Sequence, residues 1–139
     1  MFAYALRMGV AKENPCSRIV LPERQESEKK IFTIEETQAF LDALDGEPLR
    51  YVVFFVLAIF GGYRREELLG FEFRDFNFTT NVVTVERVSL YDPAHGIFTG
   101  PPKTARSHRS LKLPVWIFDM VKALRAEQSM RRMELGDQW

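Results

Sequence analysis

The amino-acid sequence predicts an α+β fold that is mainly helical and carries a small three-stranded antiparallel sheet. Apolar residues recur at helical spacing after Thr33 and again after Pro114. Residues 49–60 are apolar nearly all round, which is typical of a helix buried in a core. The strands are predicted from β-branched content and from alternation of apolar and polar residues, and they are 82–90, 97–99 and 107–113.

The N-terminal residues are predicted to be organised separately from the rest of the chain. Residues 1–13 contain the end of a helix, which Asn14-Pro15 breaks. Residues 14–30 are predicted to be a linker because they end in a uniformly polar, charged run. The main domain is therefore expected to span 31–139.

The first helix of the main domain has predicted ends. Thr33 and Glu36 have the spacing of a capping box, in which each side chain bonds a backbone amide of the first turn. Asp45-Gly46 is predicted to close the helix.

A helix junction is predicted directly after the apolar residues 49–60. Gly61 and Gly62 adopt backbone conformations that other residues avoid, so they end one helix and allow another to begin. Arg64 then lies at the junction, and Glu67 is close enough on the new turn to face it. The alternative interpretation is a surface helix start with solvated charges.

Composition limits the classes of protein to consider. With 139 residues and 46% hydrophobic content, the chain is large enough for one globular domain. The longest apolar run, residues 52–60, is too short to span a bilayer, so no membrane partner is expected. Cys16 is the only cysteine, which excludes an internal disulfide and fits a reducing compartment. We therefore expect a cytoplasmic protein.

Charge is distributed unevenly although the formal net charge is zero. Residues 1–100 carry 11 basic and 15 acidic residues, whereas residues 101–139 carry 8 and 4. Within the second part, 103–112 contains four basic residues and no acid. A local basic face on a neutral protein can bind phosphate. The alternative is a solvated strand edge.

Two regions, 62–76 and 102–114, resemble motifs of the tyrosine recombinases, the phage-integrase family. Residues 102–114 are similar to the Lys-Thr-x-x-Ser-x-Arg-x-apolar-x-Leu-Pro hairpin of that family. Residues 62–68 resemble its Gly-apolar-Arg-x-x-Glu-Leu box, and 71–76 resemble the apolar-x-apolar-x-Asp segment behind it. The resemblance covers nearly the whole chain. It implies that 31–139 is the N-terminal part of a catalytic domain and that 1–13 ends a core-binding domain.

The resemblance also implies a chemistry. Family members cut DNA by attack of a tyrosine on a phosphodiester, which forms a 3′-phosphotyrosine, and they use no metal or cofactor. Arg64 would bind the phosphate, and Lys103 would protonate the leaving 5′-oxygen. Glu67 would either orient Arg64 or lock the helix, and both roles stay open. Four further residues are expected to contact backbone phosphates: Thr104, Arg106, His108 and Arg109.

The family's second box, His-x-x-Arg, and its nucleophilic tyrosine have no counterpart in the chain. The last histidine is His108 and the last tyrosine is Tyr91. The chain therefore resembles the N-terminal half of a catalytic domain from a mobile-element integrase. We expect a fragment that binds DNA and is inactive alone, whose partners in the intact family are DNA and other protomers. The alternative is a non-catalytic helical module, derived from the same fold, that binds DNA or protein.

Overall fold

The computed structural model describes residues 2–20, 30–102 and 108–139, and the chain divides into two compact units, Met1–Phe32 and Thr33–Trp139. The first unit contains helix α1 (Phe2–Arg7) and a 3₁₀ turn (Pro15–Arg18). The helix ends well before Asn14-Pro15, which was predicted to break it, because the amide of Val10 turns back to the carbonyl of Ala5 (2.9 Å) and closes its end. Most of the predicted linker, residues 21–29, lies outside the described residues.

Helix α2 (Ile34–Asp42) begins the second unit with the predicted capping box. The amide of Glu36 donates to the Thr33 hydroxyl (3.1 Å), and the amide of Thr33 donates to the Glu36 carboxylate (2.9 Å). Phe40 packs edge-to-face on Phe55 of the next helix, with ring centroids 5.3 Å apart. The cap thus starts a helix that the aromatic contact holds against the domain.

Two helices carry most of the core. Helix α3 (Leu49–Gly61) buries Val53, Val56 and Leu57, and helix α5 (Val115–Leu135) buries four residues of its N-terminal half. These helices pack against each other and against a small sheet. The core cluster comprises Val53, Val56, Leu57, Tyr63, Phe76, Val83, Val85, Leu113, Ile117, Phe118, Val121 and Leu124.

A three-stranded antiparallel sheet is present, and two of its strands lie within the predicted 82–90 and 107–113, whereas the third is not the predicted 97–99. Its order is β1 (Phe76–Asn77), β2 (Val82–Thr84) and β5 (Ser110–Lys112), with Val83 opposite both Phe76 and Leu111. The alternation predicted for 107–113 is confirmed at its end, where Lys112 is exposed and Leu113 is buried.

The prediction of one continuous strand over 82–90 is wrong. The chain leaves β2 after residue 84, and Arg87 turns to pair with Asp75 at 2.6 Å. It then forms a separate hairpin, in which β3 (Val88–Asp92) pairs with β4 (Gly96–Gly100). The expected strand 97–99 therefore belongs to a second, two-stranded sheet.

The short helix α4 (Arg65–Gly70) follows α3 and packs on β3. A Cβ atom at Gly70 would lie 2.9 Å from the carbonyl oxygen of Arg87 and 3.0 Å from the amide of Ser89. Because both of these neighbours are backbone atoms, glycine is required for this close packing. Within the described ranges, no helix is both long and apolar enough to cross a membrane.

Candidate functional site

The junction between α3 and α4 has the predicted architecture. Gly62 adopts the left-handed conformation (φ 57°), and its amide donates to the carbonyl of Ala58 (3.1 Å), which ends α3. Arg64 then has extended backbone angles and immediately precedes α4. A Cβ atom at Gly61 would overlap the ring of Tyr63, so the absence of a side chain at Gly61 makes room for that buried ring. The two glycines thus place Arg64 at the start of α4.

Glu67 is the buried centre of the site, with its side chain 1% exposed. Its Oε2 accepts a hydrogen bond from the backbone amide of Arg64 (2.9 Å), as the side chain of a capping box does. Its Oε1 accepts one from Nη1 of Arg64 (3.0 Å). The predicted contact between Arg64 and Glu67 is therefore present, through both backbone and side chain.

A second arginine reaches the same carboxylate from a distant part of the chain. Nη1 and Nη2 of Arg109, just before β5, lie 2.9 Å from Oε1 and Oε2 of Glu67. These are two parallel charge-assisted bonds, the strongest geometry available to this pair. The guanidinium also lies 5.4 Å from the centre of the Tyr63 ring, within the range of a cation–π contact. The backbone carbonyl of Arg109 is fixed as well, by the amide of Val85 (2.9 Å).

The electrostatics of the site favour an ionised Glu67. Burial alone would raise the pKa of its carboxyl, but hydrogen bonds from Arg109 and Arg64 outweigh burial and lower the pKa below its ordinary value. The bonds to Glu67 raise the pKa of Arg109. Burial raises the pKa of Tyr63 to about 12. The cluster of Arg64, Glu67 and Arg109 thus has a net charge of +1.

Arg64 and Arg65 have different surroundings. The Arg64 side chain is 69% exposed although Glu67 holds one of its nitrogens, so its guanidinium combines a fixed position with access to solvent. Arg65 instead borders a groove with Leu69 and Tyr91, on the side of the β3–β4 hairpin. The difference follows from the backbone, because Arg64 is extended and precedes α4 whereas Arg65 is its first residue.

A second buried acid lies in the 3₁₀ turn Phe73–Asp75, behind the junction. The side chain of Asp75 is 2% exposed and pairs with Arg87 at 2.6 Å. The same oxygen accepts a bond from the amide of Glu72 (2.8 Å), and Glu72 pairs with the exposed Arg74 (2.7 Å). The Asp75–Arg87 pair ties the turn to the residue before β3 and so holds the scaffold together.

The structure locates some of the predicted site residues. Arg64, Glu67 and Arg109 form one cluster, and His108 is exposed next to it in the sequence. Lys103, Thr104 and Arg106 lie outside the described residues. In the part of the chain that is described, no three His, Cys, Asp or Glu side chains are grouped as metal ligands.

Sequence reasoning missed the pairing of Arg109 with Glu67 and that of Arg87 with Asp75. Asp75 lies between Phe73 and Phe76, and Glu67 directly precedes Leu68 and Leu69. Since buried carboxylates are almost always paired, that apolar context was the available indication of a partner. It did not identify which arginine the partner is.

Comparison with known proteins supports the resemblance drawn from the sequence. No family model matches the sequence. The chain is similar to a tyrosine recombinase XerC-like protein of Caldanaerobacter subterraneus subsp. tengcongensis, with 31% identity over 149 aligned positions. The alignment covers 97% of this chain and 38% of that relative. The predicted resemblance to tyrosine recombinases is confirmed, and the chain spans well under half of the relative's length.

Solved structures of Tn1549 transposon integrase have the same fold. One, in complex with a circular intermediate DNA, matches with a TM-score of 0.73 and 19% identity over 90% of this chain and 41% of that one. Another, in complex with transposon right end DNA, matches with a TM-score of 0.73 and 20% identity over 88% and 40%. The chain thus has the α+β fold of part of an integrase.

Proposed function

We propose that this chain is part of the catalytic domain of a site-specific DNA recombinase or integrase and that Arg64 binds a phosphate of the DNA backbone. The observation that carries the proposal is the state of Arg64, whose exposed guanidinium is held by a buried carboxylate at a rigid helix start. Arginine suits this role because it is always charged and can donate two parallel bonds to phosphate.

In the proposed reaction, Arg64 stabilises the negative charge that spreads over the non-bridging oxygens in the transition state. A donor held in place before the reaction is more effective than one that must be ordered during it. Lys103 is proposed to protonate the leaving 5′-oxygen. Thr104, Arg106 and His108 are proposed to contact neighbouring phosphates and so position the DNA without reading its sequence.

This chain by itself is proposed to bind DNA without cutting it. Residues after Leu113 include no histidine and no tyrosine, so neither the His-x-x-Arg box nor the nucleophile is available from this segment. Since a nucleophile and its phosphate clamp act as one unit, loss of either removes most of the catalysis. In a longer protein, other protomers would complete the assembly on DNA. A cytoplasmic location stays a prediction.

The second candidate function is a non-catalytic helical module that binds DNA or protein. The same absence of a nucleophile favours it. The two candidates differ in what they require of Arg64, because a non-catalytic module would not need a phosphate site there.

Binding to a fluorescent DNA duplex across a salt series tests the proposal. The wild-type chain should bind weakly, with an affinity that falls steeply as salt rises. Arg64→Ala should lower the slope of log affinity against log salt by about 0.9, as expected for one lost phosphate contact. Arg65→Ala is the matched control and should leave that slope nearly unchanged. Equal slopes for wild type and Arg64→Ala would contradict the proposed site.

A second measurement separates binding from cleavage. The chain is incubated with nicked DNA carrying a candidate site, and covalent adducts are sought on a denaturing gel. The expected result is no adduct. An adduct formed by this chain alone would show that cleavage needs neither of the two absent motifs.

A further inference from the structure

Arg109 differs from Arg64 in what its side chain contacts, and the role drawn from that difference rests on the proposed role of Arg64. The resemblance places Arg109 among residues that contact DNA. In the structure, however, both terminal nitrogens of Arg109 are directed to the Glu67 carboxylate at 2.9 Å. Its side chain is 33% exposed, whereas that of Arg64 is 69% exposed. The two arginines therefore differ in access to an external phosphate.

The charges of the cluster explain what Arg109 does. Glu67 is buried and ionised, and it contacts two arginines. With Arg109 present, one positive charge offsets the carboxylate and the other stays available. Without Arg109, the charge of Glu67 would be offset by Arg64, which is the other arginine that contacts it among the described residues. The attraction of Arg64 to a phosphate would then fall.

Geometry supports the same conclusion. The parallel bonds from Arg109 fix both carboxylate oxygens, and those oxygens in turn hold the backbone amide and Nη1 of Arg64. Arg109 is itself fixed by the pairing of its carbonyl with Val85 beside the sheet. A chain of contacts thus leads from the sheet through Glu67 to Arg64.

We propose that Arg109 is a positioning residue, which offsets the charge of Glu67 so that Arg64 stays available and oriented for phosphate, and that it is not itself a phosphate ligand. It follows that removing the charge of Glu67 should make Arg109 dispensable for phosphate binding. If Arg109 were itself a phosphate ligand, removing the charge of Glu67 would not restore the phosphate contact that is lost with Arg109.

The test is a rescue experiment on the whole chain with the same fluorescent duplex and salt series. Arg109→Ala should lower the salt slope by about 0.9, because Arg64 is drawn to Glu67 and one phosphate contact is lost. Adding Glu67→Gln should restore the wild-type slope, since glutamine still accepts the bond from the Arg64 amide and carries no charge. Adding Glu66→Gln instead removes the same charge one residue away and should not restore the slope.

The opposite result is equally clear. If Arg109→Ala, Glu67→Gln keeps the reduced slope, Arg109 contacts phosphate directly and the proposal is overturned. Circular dichroism checks the folding of each variant. If Arg109→Ala alone fails to fold because Glu67 is left with too few partners, the double variant still decides, because it has no buried charge at that position.

A measurement without DNA separates this inference from the proposed function. If the wild-type chain does not bind DNA, the proposed function fails, while the coupling of the two arginines through Glu67 can still be tested. The side-chain Nε–H of Arg64 is followed by NMR for chemical shift and hydrogen exchange. Arg109→Ala should shift this resonance, and Lys122→Ala, which removes an exposed charge from α5, should leave it unchanged. An Arg64 resonance that Arg109→Ala does not alter would overturn the positioning role.

Discussion

Arg109 and Glu67 lie 42 positions apart in the sequence and are joined by two parallel hydrogen bonds of 2.9 Å. This pair connects the start of β5, which Arg109 directly precedes, to α4, which begins beside Arg64. The two motifs by which the sequence resembles a recombinase therefore meet at one buried carboxylate.

The two neighbouring arginines of the junction should differ in importance. In a longer protein that carries this segment together with the nucleophile, Arg64→Ala should slow recombination by on the order of 10²–10³, the usual effect of losing one fixed transition-state donor. Arg64→Lys should also be severe, because a point charge cannot replace a planar fork. Arg65→Ala should have little effect. Recombination rates, with folding checked by circular dichroism, would refute this placement if Arg65→Ala were inactive and Arg64→Lys near normal.

Acid should weaken the fold partly through Glu67. Its pKa is lowered in the folded protein by Arg109 and Arg64, against the opposing effect of burial. A lowered pKa adds stability that is present above the unfolded value, about 4.3, and that is lost as pH falls through the folded value. Urea unfolding of wild type and Glu67→Gln between about pH 6 and pH 3 should therefore show two stabilities that converge on acidification. A difference that stays constant with pH would contradict an ionised, hydrogen-bonded Glu67.

The scaffold pair of Asp75 and Arg87 should contribute far more than its exposed neighbour. Arg87→Ala leaves a buried carboxylate without its guanidinium and should cost on the order of 3–5 kcal/mol of unfolding free energy. Arg74→Ala removes an exposed partner of Glu72 and should cost less than about 1 kcal/mol. Denaturant titration compares the two, and similar losses would mean that Asp75 is solvated rather than buried.

Tyr63 should be replaceable by phenylalanine. Its hydroxyl is buried and has no hydrogen-bond partner among the described residues, while its ring packs edge-to-face on Phe71 at 4.9 Å. Tyr63→Phe keeps the ring and removes the unpaired hydroxyl, so stability should stay the same or rise by about 1 kcal/mol. A marked loss of stability would indicate a partner for the hydroxyl.

The titration of Tyr63 provides an independent check. Ultraviolet absorbance of the wild-type chain should include one tyrosine that ionises at about 12, because burial disfavours the phenolate. Tyr63→Phe should lack that step. The pKa of Tyr63 is about 10 in the unfolded chain and about 12 in the folded one, so its contribution to stability is lost as pH rises between these two values. Tyr63→Phe has no such contribution to lose, and alkaline pH should therefore destabilise the variant less than the wild type.

Local features were predictable from the sequence, whereas partners across the fold were not. The capping box of Thr33 and the left-handed Gly62 depend on residues within one helix turn, and both have the predicted form. The prediction of a continuous strand 82–90 was wrong because it rested on β-branched content, which favours extended backbone. That content gives no indication that Arg87 pairs with the buried Asp75, 12 positions earlier, and so interrupts the strand.

The same limit applies to the site. Arg64 and Glu67 are three residues apart, so helix geometry alone predicts their contact. Arg109 lies in a stretch of basic residues, and composition there favours a surface that faces DNA. Its pairing with Glu67 depends on the docking of β5 beside β2, which no local pattern of the sequence specifies.

The separation of Arg109 from Glu67 has a consequence for biosynthesis. During translation, Glu67 is added 42 residues before Arg109, so for that interval the nascent chain holds an acid destined for burial without its bidentate partner. Contacts between distant positions form late because closing a long loop costs entropy first. Completion of the proposed phosphate site and completion of the fold should therefore be one kinetic event, and partly made chains should lack an ordered Arg64.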